Sequence, residues 1–378
     1  MKGAPLLLWL QGGPGGASTF GALNEVGPLR VERDADGRLE AKRRETGSWA
    51  EKFDLLFLDN PVGTGFSYTN DEGGYARKRE DYEDTLYAAM QQFYAMFPDK
   101  LDDEFYITGE SYAGHYIPAL AHKIHVENGR GGRPRVPLAG FAIGDGWSDP
   151  ETMVMQYADM LYSMSLIDGQ QQRQVQEMQE EVLRDIRAED WEAAFLGWDR
   201  LINGDVTGPS FVQNVTGIQN YFNLLSPDYP TLDLWDKFLN QTSTRRALHV
   251  GDAVLHDGHE VEMHIVRDVM QSVKPLFLTL LANYKALVYS GQLDVIVGAA
   301  LTTAFLDSIR WEGSTAWAKA EREIWKSGGE TAGYVKRAKN LTNAIVRNAG
   351  HLVPTDQPAW AKDLITRWVE GTPYGVER

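Results

Sequence analysis

No cysteine occurs anywhere in the 378 residues, which removes disulfide staples, thiolate metal sites and a cysteine nucleophile together. Basic residues are also in deficit: 37 Lys and Arg against 53 Asp and Glu leave a formal charge of −16. Such a surface repels nucleic acid phosphates and anionic membranes, so nucleic acid is excluded as a partner. Long apolar runs are missing too. Stretches such as Leu6 to Leu10 and Leu55 to Leu58 fall far short of the roughly 20 residues that cross a bilayer, so no membrane span is expected. No segment repeats with a solenoid or propeller period.

What is present describes a globular chain with a sizeable core: 43% hydrophobic and 24% charged residues, with 37 Gly and 16 Pro. Three N-x-S/T sequons, at Asn214, Asn240 and Asn340, are glycosylation candidates that raise the expectation of a secretory route only modestly. The start, Met1 to Leu10, has one cation and a five-residue apolar run, shorter than the roughly 7 to 15 residue core of a signal peptide. It reads as a buried strand, with no signal peptide in this chain.

Short apolar runs bounded by Gly, Pro or Asp recur at Leu6 to Leu10, Leu55 to Leu58, Phe105 to Thr108, Leu138 to Ile143, Ala286 to Tyr289 and Asn343 to Arg347, the pattern of buried parallel strands. Helical patterns lie between them, notably Arg79 to Phe97 and Pro358 to Glu370. This alternation predicts the α/β class. It lapses after Asp149, where Pro150 to Leu166 and Gln170 to Arg200 carry helix spacing. The expected organisation is therefore 1–149 as the first half of an α/β core, 150–267 as a mostly helical lid insertion, and 268–378 as the second half. Trp191, Phe195 and Trp198 in the insertion read first as core packing and second as substrate contacts.

Three fragments carry chemistry. Gly109-Glu110-Ser111-Tyr112-Ala113-Gly114 follows a strand and precedes a helical pattern, the context required of a G-x-S-x-G nucleophile elbow rather than a mere Gly-rich turn. A serine hydroxyl needs a histidine to take its proton, and in that architecture an acid and then the histidine follow it in chain order. Asp294 closes the strand-loop Leu287 to Asp294, and His351 sits in the loop Asn348 to Pro354, so both serve. The third fragment, Trp9 to Gly16, is a Gly-rich loop straight after a strand, like the loop that lends a backbone N–H to an oxyanion hole. It matches neither phosphate-binding pattern, and Pro14 removes a donor from its middle.

The other histidines read more plainly. His122 and His125 share one helix without a third ligand, His115 and His249 have no strand-end acid behind them, and the cluster His256, His259 and His264 with Asp257, Glu260 and Glu262 lacks the H-E-x-x-H spacing of a zinc helix. No metal ion and no cofactor are expected.

Together, Trp9 to Gly16, Asp59 to Tyr68, the Gly109 to Gly114 elbow, Ser290 to Asp294 and Gly350-His351 resemble the serine carboxypeptidase family. Within it, the first of these, Ile143 to Pro150 and Ser272 to Pro275 are most similar to the vitellogenic-carboxypeptidase-like branch. The resemblance covers essentially the whole chain and implies an α/β-hydrolase fold. It makes Ser111 the nucleophile, His351 the general base and then acid, and Asp294 the group that orients the histidine. By the same resemblance the amides of Gly13 and Tyr112 form the oxyanion hole, and Trp9, Gln11, Gly12, Glu25 and Glu110 hold a peptide's terminal carboxylate. Many members carry asparagine where this chain has Gln11. Two close carboxyl groups cannot both ionise cheaply, so one keeps a proton it can donate to an anion.

The implied activity is release of single amino acids from peptide or protein carboxyl termini through a covalent acyl-enzyme, favoured at acidic pH. Acyl transfer from the same intermediate and a catalytically silent binding or chaperone-like homologue, or an inert truncated product, are the alternatives. Family members usually carry disulfides, a signal peptide and first strands before the Trp9 motif. This chain is expected to be amino-terminally short, with a lid held by packing alone or more mobile. The resemblance implies a lysosomal or secreted protein and leaves a homodimer open.

Overall fold

The computed structural model describes residues 3–131, 134–229 and 233–375. Met1 and Lys2, the start of the segment read as a strand, lie outside them. Eight strands form the central sheet: β1 (Leu6–Leu10), β2 (Asp54–Phe57), β3 (Phe105–Glu110), β4 (Leu138–Gly144), β5 (Lys285–Gly291), β6 (Arg322–Ser327), β7 (Glu330–Ala338) and β8 (Leu341–Val346). Their order across the sheet is β6-β7-β8-β5-β4-β3-β1-β2. From β2 through β8 every pairing is parallel, and β6 and β7 extend one edge antiparallel.

Strands buried on both faces read as continuous apolar runs, and β1 shows why. Leu6, Leu8 and Leu10 point into one core with Phe105, Ile107 and the helices Arg79–Met96 and Ala113–Arg130. Leu7 and Trp9 point into the opposite core with Tyr106, Leu287, Tyr289 and Trp368 of the helix Pro358–Glu370. Helices thus cover both faces of a mostly parallel sheet, which is the α/β-hydrolase architecture.

The register pairs Leu10 with Gly109, Glu110 with Gly144, Gly144 with Tyr289 and Gly291 with Val346. Five carboxyl-terminal strand ends therefore meet along one edge, where ligands collect in such sheets. The loops that leave this edge carry Gln11, Ser111, Asp145, Asp294 and His351.

Two elements carry no apolar run. The hairpin Leu29–Arg33 with Leu39–Arg43 and the strand β6 are mostly exposed or half-buried, so charged residues run through them and hide the strand pattern. Among the described residues between Pro150 and Val269 the regular elements are helical, apart from His256–Asp257, which pairs with Thr64–Gly65. The helical stretch expected over Gln170 to Arg200 is divided into Gly169–Arg187 and Trp191–Trp198. Glu189 in the left-handed region, φ 58°, turns the chain, and Asp190 caps the new helix.

This helical segment is held by more than packing. Val175, Val182, Ile186 and Phe195 join the main core. The buried Asp199 carboxylate also accepts five hydrogen bonds: from Asn203, from the amides of Asp205, Val206 and Thr207, and from the Thr207 hydroxyl at 2.6 Å. It organises the loop that follows without a disulfide.

Candidate active site

Ser111 begins the turn between β3 and the helix Ala113–Arg130 and has φ 59°, a conformation that costs free energy and persists only when over-determined. Three backbone bonds determine it: the Ser111 amide donates to Gly144 at 2.9 Å, and its carbonyl accepts from Gly114 at 2.9 Å and Trp147 at 3.0 Å. Gly109 is required on the approach, because a Cβ there would come within 2.0 Å of the Leu10 carbonyl oxygen. The elbow motif thus folds as its sequence context demands.

Asp294 and His351 are both buried. Asp294 Oδ2 lies 2.8 Å from His351 Nδ1, and Oδ1 accepts the amides of Ile296 at 2.9 Å and Val297 at 3.0 Å. That set satisfies a carboxylate and orients the imidazole so that Nε2 is its free nitrogen. Among the described residues Nε2 has no hydrogen-bond partner, and it shares one cavity with Ser111. The Ser111–His351 bond is open in this state, as catalytic bonds often are before substrate binds.

A strap from the helical segment holds these loops. Val295 donates its amide to Tyr221, His351 to Phe222 at 2.6 Å, and Leu224 to Leu293 at 2.9 Å. The Phe222 ring stacks on His351 with centroids 5.1 Å apart. Asp356 locks the join, since its Oδ2 accepts from Asn223 at 2.8 Å, Tyr229 at 3.1 Å and the Gly350 amide at 2.6 Å.

The Gly-rich loop closes on itself through a Gly16 to Gly12 bond of 2.8 Å and lies against the elbow. A Cβ on Gly12 would sit 2.5 Å from Ser111 Cβ and 2.6 Å from the Tyr112 amide nitrogen, so only glycine permits the approach. Gly13 and Tyr112 line the cavity beside Ser111.

Gln11 is the hub of the remaining expected residues. Its Oε1 accepts from Trp9 Nε1 at 2.9 Å, and its Nε2 donates to Glu25 at 3.0 Å and Glu110 at 2.8 Å. Both acids are fully buried, each keeps one oxygen without a partner among the described residues, and neither forms an ion pair there. Burial pushes the Glu25 carboxyl up to about 7, and burial together with the Glu25 charge pushes Glu110 well above the usual carboxylate range. Gln11, Gly12 and Glu110 line the cavity, whereas Trp9 and Glu25 stand behind them.

The cavity, about 400 Å3, is walled by the strand-end loops and by the helical segment, which contributes Phe195, Trp198, Tyr221, Phe222 and Trp235. Phe195 and Trp198, expected first as core, are buried in it and also face this space; Trp191 packs half-buried against the core. His256 and Asp257 line the cavity as well. Away from it, the His115 ring nitrogens meet the Trp147 and Gln271 carbonyls.

The family model for serine carboxypeptidases matches residues 1–371. This chain belongs to the serine carboxypeptidase family. It is 44% identical over 373 residues to a human protein described as probable serine carboxypeptidase CPVL, covering 97% of this chain and 77% of that one. The honeybee venom serine carboxypeptidase is 41% identical over 377 residues, covering 99% and 79%. The vitellogenic carboxypeptidase of Aedes aegypti is 38% identical over 372 residues, covering 96% and 76%. The crystal structure of the yeast prohormone-processing carboxypeptidase Kex1 superposes with a TM-score of 0.76 at 26% identity, over 97% of this chain and 83% of that one. The chain is a serine carboxypeptidase, a hydrolase of the peptidase class.

Several residues in and around this serine carboxypeptidase site escape sequence reasoning, among them Asp145, Tyr289, Phe222 and Asn223. Asp145 lies within the motif Ile143 to Pro150, yet nothing local marks it as facing Asp294. Tyr289 reads only as a strand aromatic, although its buried hydroxyl has no partner among the described residues. Phe222 and Asn223 lie in an irregular stretch with no periodic signal.

Proposed function

We propose that the chain removes single residues from peptide carboxyl termini through an acyl-enzyme on Ser111. His351 Nε2 takes the hydroxyl proton as Oγ attacks the scissile carbonyl carbon, with Asp294 holding the imidazole and stabilising its charged form. The amides of Gly13 and Tyr112 bind the oxyanion. As the C–N bond breaks, His351 returns the proton to the leaving amine and the terminal amino acid departs. Water then attacks the ester with His351 again as base, and Ser111 recovers its proton.

The observation that carries this reading is the buried acid pair Glu25–Glu110, joined through Gln11 beside the nucleophile. Burial holds the Glu25 proton up to about pH 7 and keeps Glu110 protonated well above the usual carboxylate range, so the pair offers O–H donors to an incoming carboxylate. An ester acyl donor needs no such donors, which favours peptidase over acyl-transfer chemistry. Comparing a blocked dipeptide bearing a free terminal carboxylate with its amide tests the reading, and equal kcat/KM would overturn it. The rising carboxyl values support work at acidic pH. Asn214, Asn240 and Asn340 are exposed, which supports glycosylation in a secreted or lysosomal setting. A mass shift on glycosidase treatment of protein from a eukaryotic host checks it.

A further inference from the structure

Asp145 is a fully buried acid with no part in the chemistry described above. It leaves β4 at φ 44°, and its amide donates to the Tyr289 carbonyl at 2.7 Å. Its side chain reaches across to β5, where Oδ1 accepts the Gly291 amide at 2.8 Å, at the head of the loop that carries Asp294. No N–H or hydroxyl donor among the described residues reaches Oδ2. What the carboxyl faces is another acid: one oxygen each of Asp145 and Asp294 and a ring nitrogen of His351 all lie within 4.8 Å of one another.

Two carboxyl groups in such contact away from water need a proton between them. Their partners show which one holds it. Asp294 accepts from Ile296, Val297 and His351, three donors that favour its ionised form and leave one acceptor site on Oδ2. Among the described residues the Asp145 side chain accepts from Gly291 alone. The other titratable groups near it are Asp356 from the short helix Val353–Asp356, Glu110 at the end of β3, and Tyr289 in β5, and none supplies a positive charge. Burial, reinforced by the Asp294 charge, pushes the Asp145 carboxyl well above its ordinary range.

We propose that Asp145 is a positioning residue that stays protonated and donates its O–H to Asp294, keeping that carboxylate ionised and turned toward His351 Nδ1 in acidic surroundings. In a carboxyl pair the first proton binds tightly and the second only at much lower pH. With the proton on Asp145, its O–H stabilises the Asp294 carboxylate in the orientation that holds His351. A neutral donor on Asp294 also fixes its orientation without placing a second negative charge beside the imidazole.

The inference rests on the assignment of Ser111, His351 and Asp294, so the test includes Ser111→Ala. The measurement is kcat/KM against pH on an activated ester lacking a terminal carboxylate, which keeps Glu25 and Glu110 out of the profile. Asp145→Asn keeps a neutral donor, and its acid limb should coincide with that of the unmodified protein while the rate falls no more than about tenfold. Asp145→Ala loses the donor, and its acid limb should move to higher pH with a larger fall in kcat. Movement of the Asn variant's limb to lower pH by about one unit would mean that Asp145 had carried a charge helping to protonate His351, and would overturn the proposal. An Ala profile lowered in height but unmoved would also overturn it, leaving a purely structural role. If the Ala variant fails to fold, the Asn limb decides alone, because that change removes the acid and not the donor. Residual turnover in Ser111→Ala equal to that of the unmodified protein would instead sink the underlying triad.

Discussion

Replacing Glu25 and Glu110 together with glutamine removes both titrating groups of the proposed carboxylate clamp while keeping amide donors, and Gln11 can still donate to the new carbonyl oxygens. In the unmodified protein Glu25 is pushed up to about 7 by burial, and burial with the Glu25 charge pushes Glu110 well above its ordinary range. Above pH 7 the pair therefore becomes an anion facing the substrate carboxylate. One deprotonation, half complete at pH 7, costs a factor of ten per pH unit well above it, so kcat/KM for a peptide acid should fall about 50-fold from pH 7 to pH 9, or about 2 kcal/mol. An amide substrate brings no carboxylate and should decline far less. Stability follows the same protons. A carboxyl raised from its ordinary 4.5 to about 7 favours folding fully below pH 4.5 and loses that contribution as pH rises through 7, a swing of about 3 kcal/mol for this fully buried group. Melting temperature should thus fall between mildly acidic and alkaline pH in the unmodified protein and change less in the double variant. Parallel pH profiles for the acid and amide substrates in both proteins, with thermal melts alongside, give the reading. If the double variant keeps the alkaline decline with peptide acids, another group is responsible and the clamp reasoning fails.

Ser111→Ala should lower peptide hydrolysis by at least about a thousandfold, with a melting temperature within about 2 °C of the parent; a fluorophosphonate probe that still labels the variant would contradict this. Asn223→Ala removes the strap's bond to Asp356, so stability should drop by about 1 kcal/mol and kcat by about tenfold with little change in KM. An unchanged kcat there would show that the strap does not position His351. Asp199→Ala leaves five donors without their acceptor and should cost about 3 kcal/mol. Limited proteolysis should then cut near residues 199–210 first, and protection equal to the parent's would refute a bracing role.

Local sequence determined a good deal. Apolar runs between Gly, Pro and Asp placed the inner strands within one or two residues, because a strand buried on both faces has no choice but to be apolar throughout. Glycines beside Ser111 and through Gly12 and Gly13 were legible for a related reason, since only they permit the elbow and the close approach of the loop. The serine, acid and histidine could be ordered from their positions after strands. Where exposure let charges run through a strand, as in β6 and the Leu29–Arg43 hairpin, the pattern faded. What only the tertiary structure decided is which distant residues share a buried volume. Gln11 meets Glu110 across 99 positions, Asp145 comes to face Asp294, and the strap at Tyr221 to Leu224 seats against His351. Strand order and loop packing set these meetings, and periodicity in the sequence records neither. The protonation of the two acid pairs belongs to the same level, because a carboxyl group's charge is governed by the water it loses and the acid it meets, and both are properties of the folded chain.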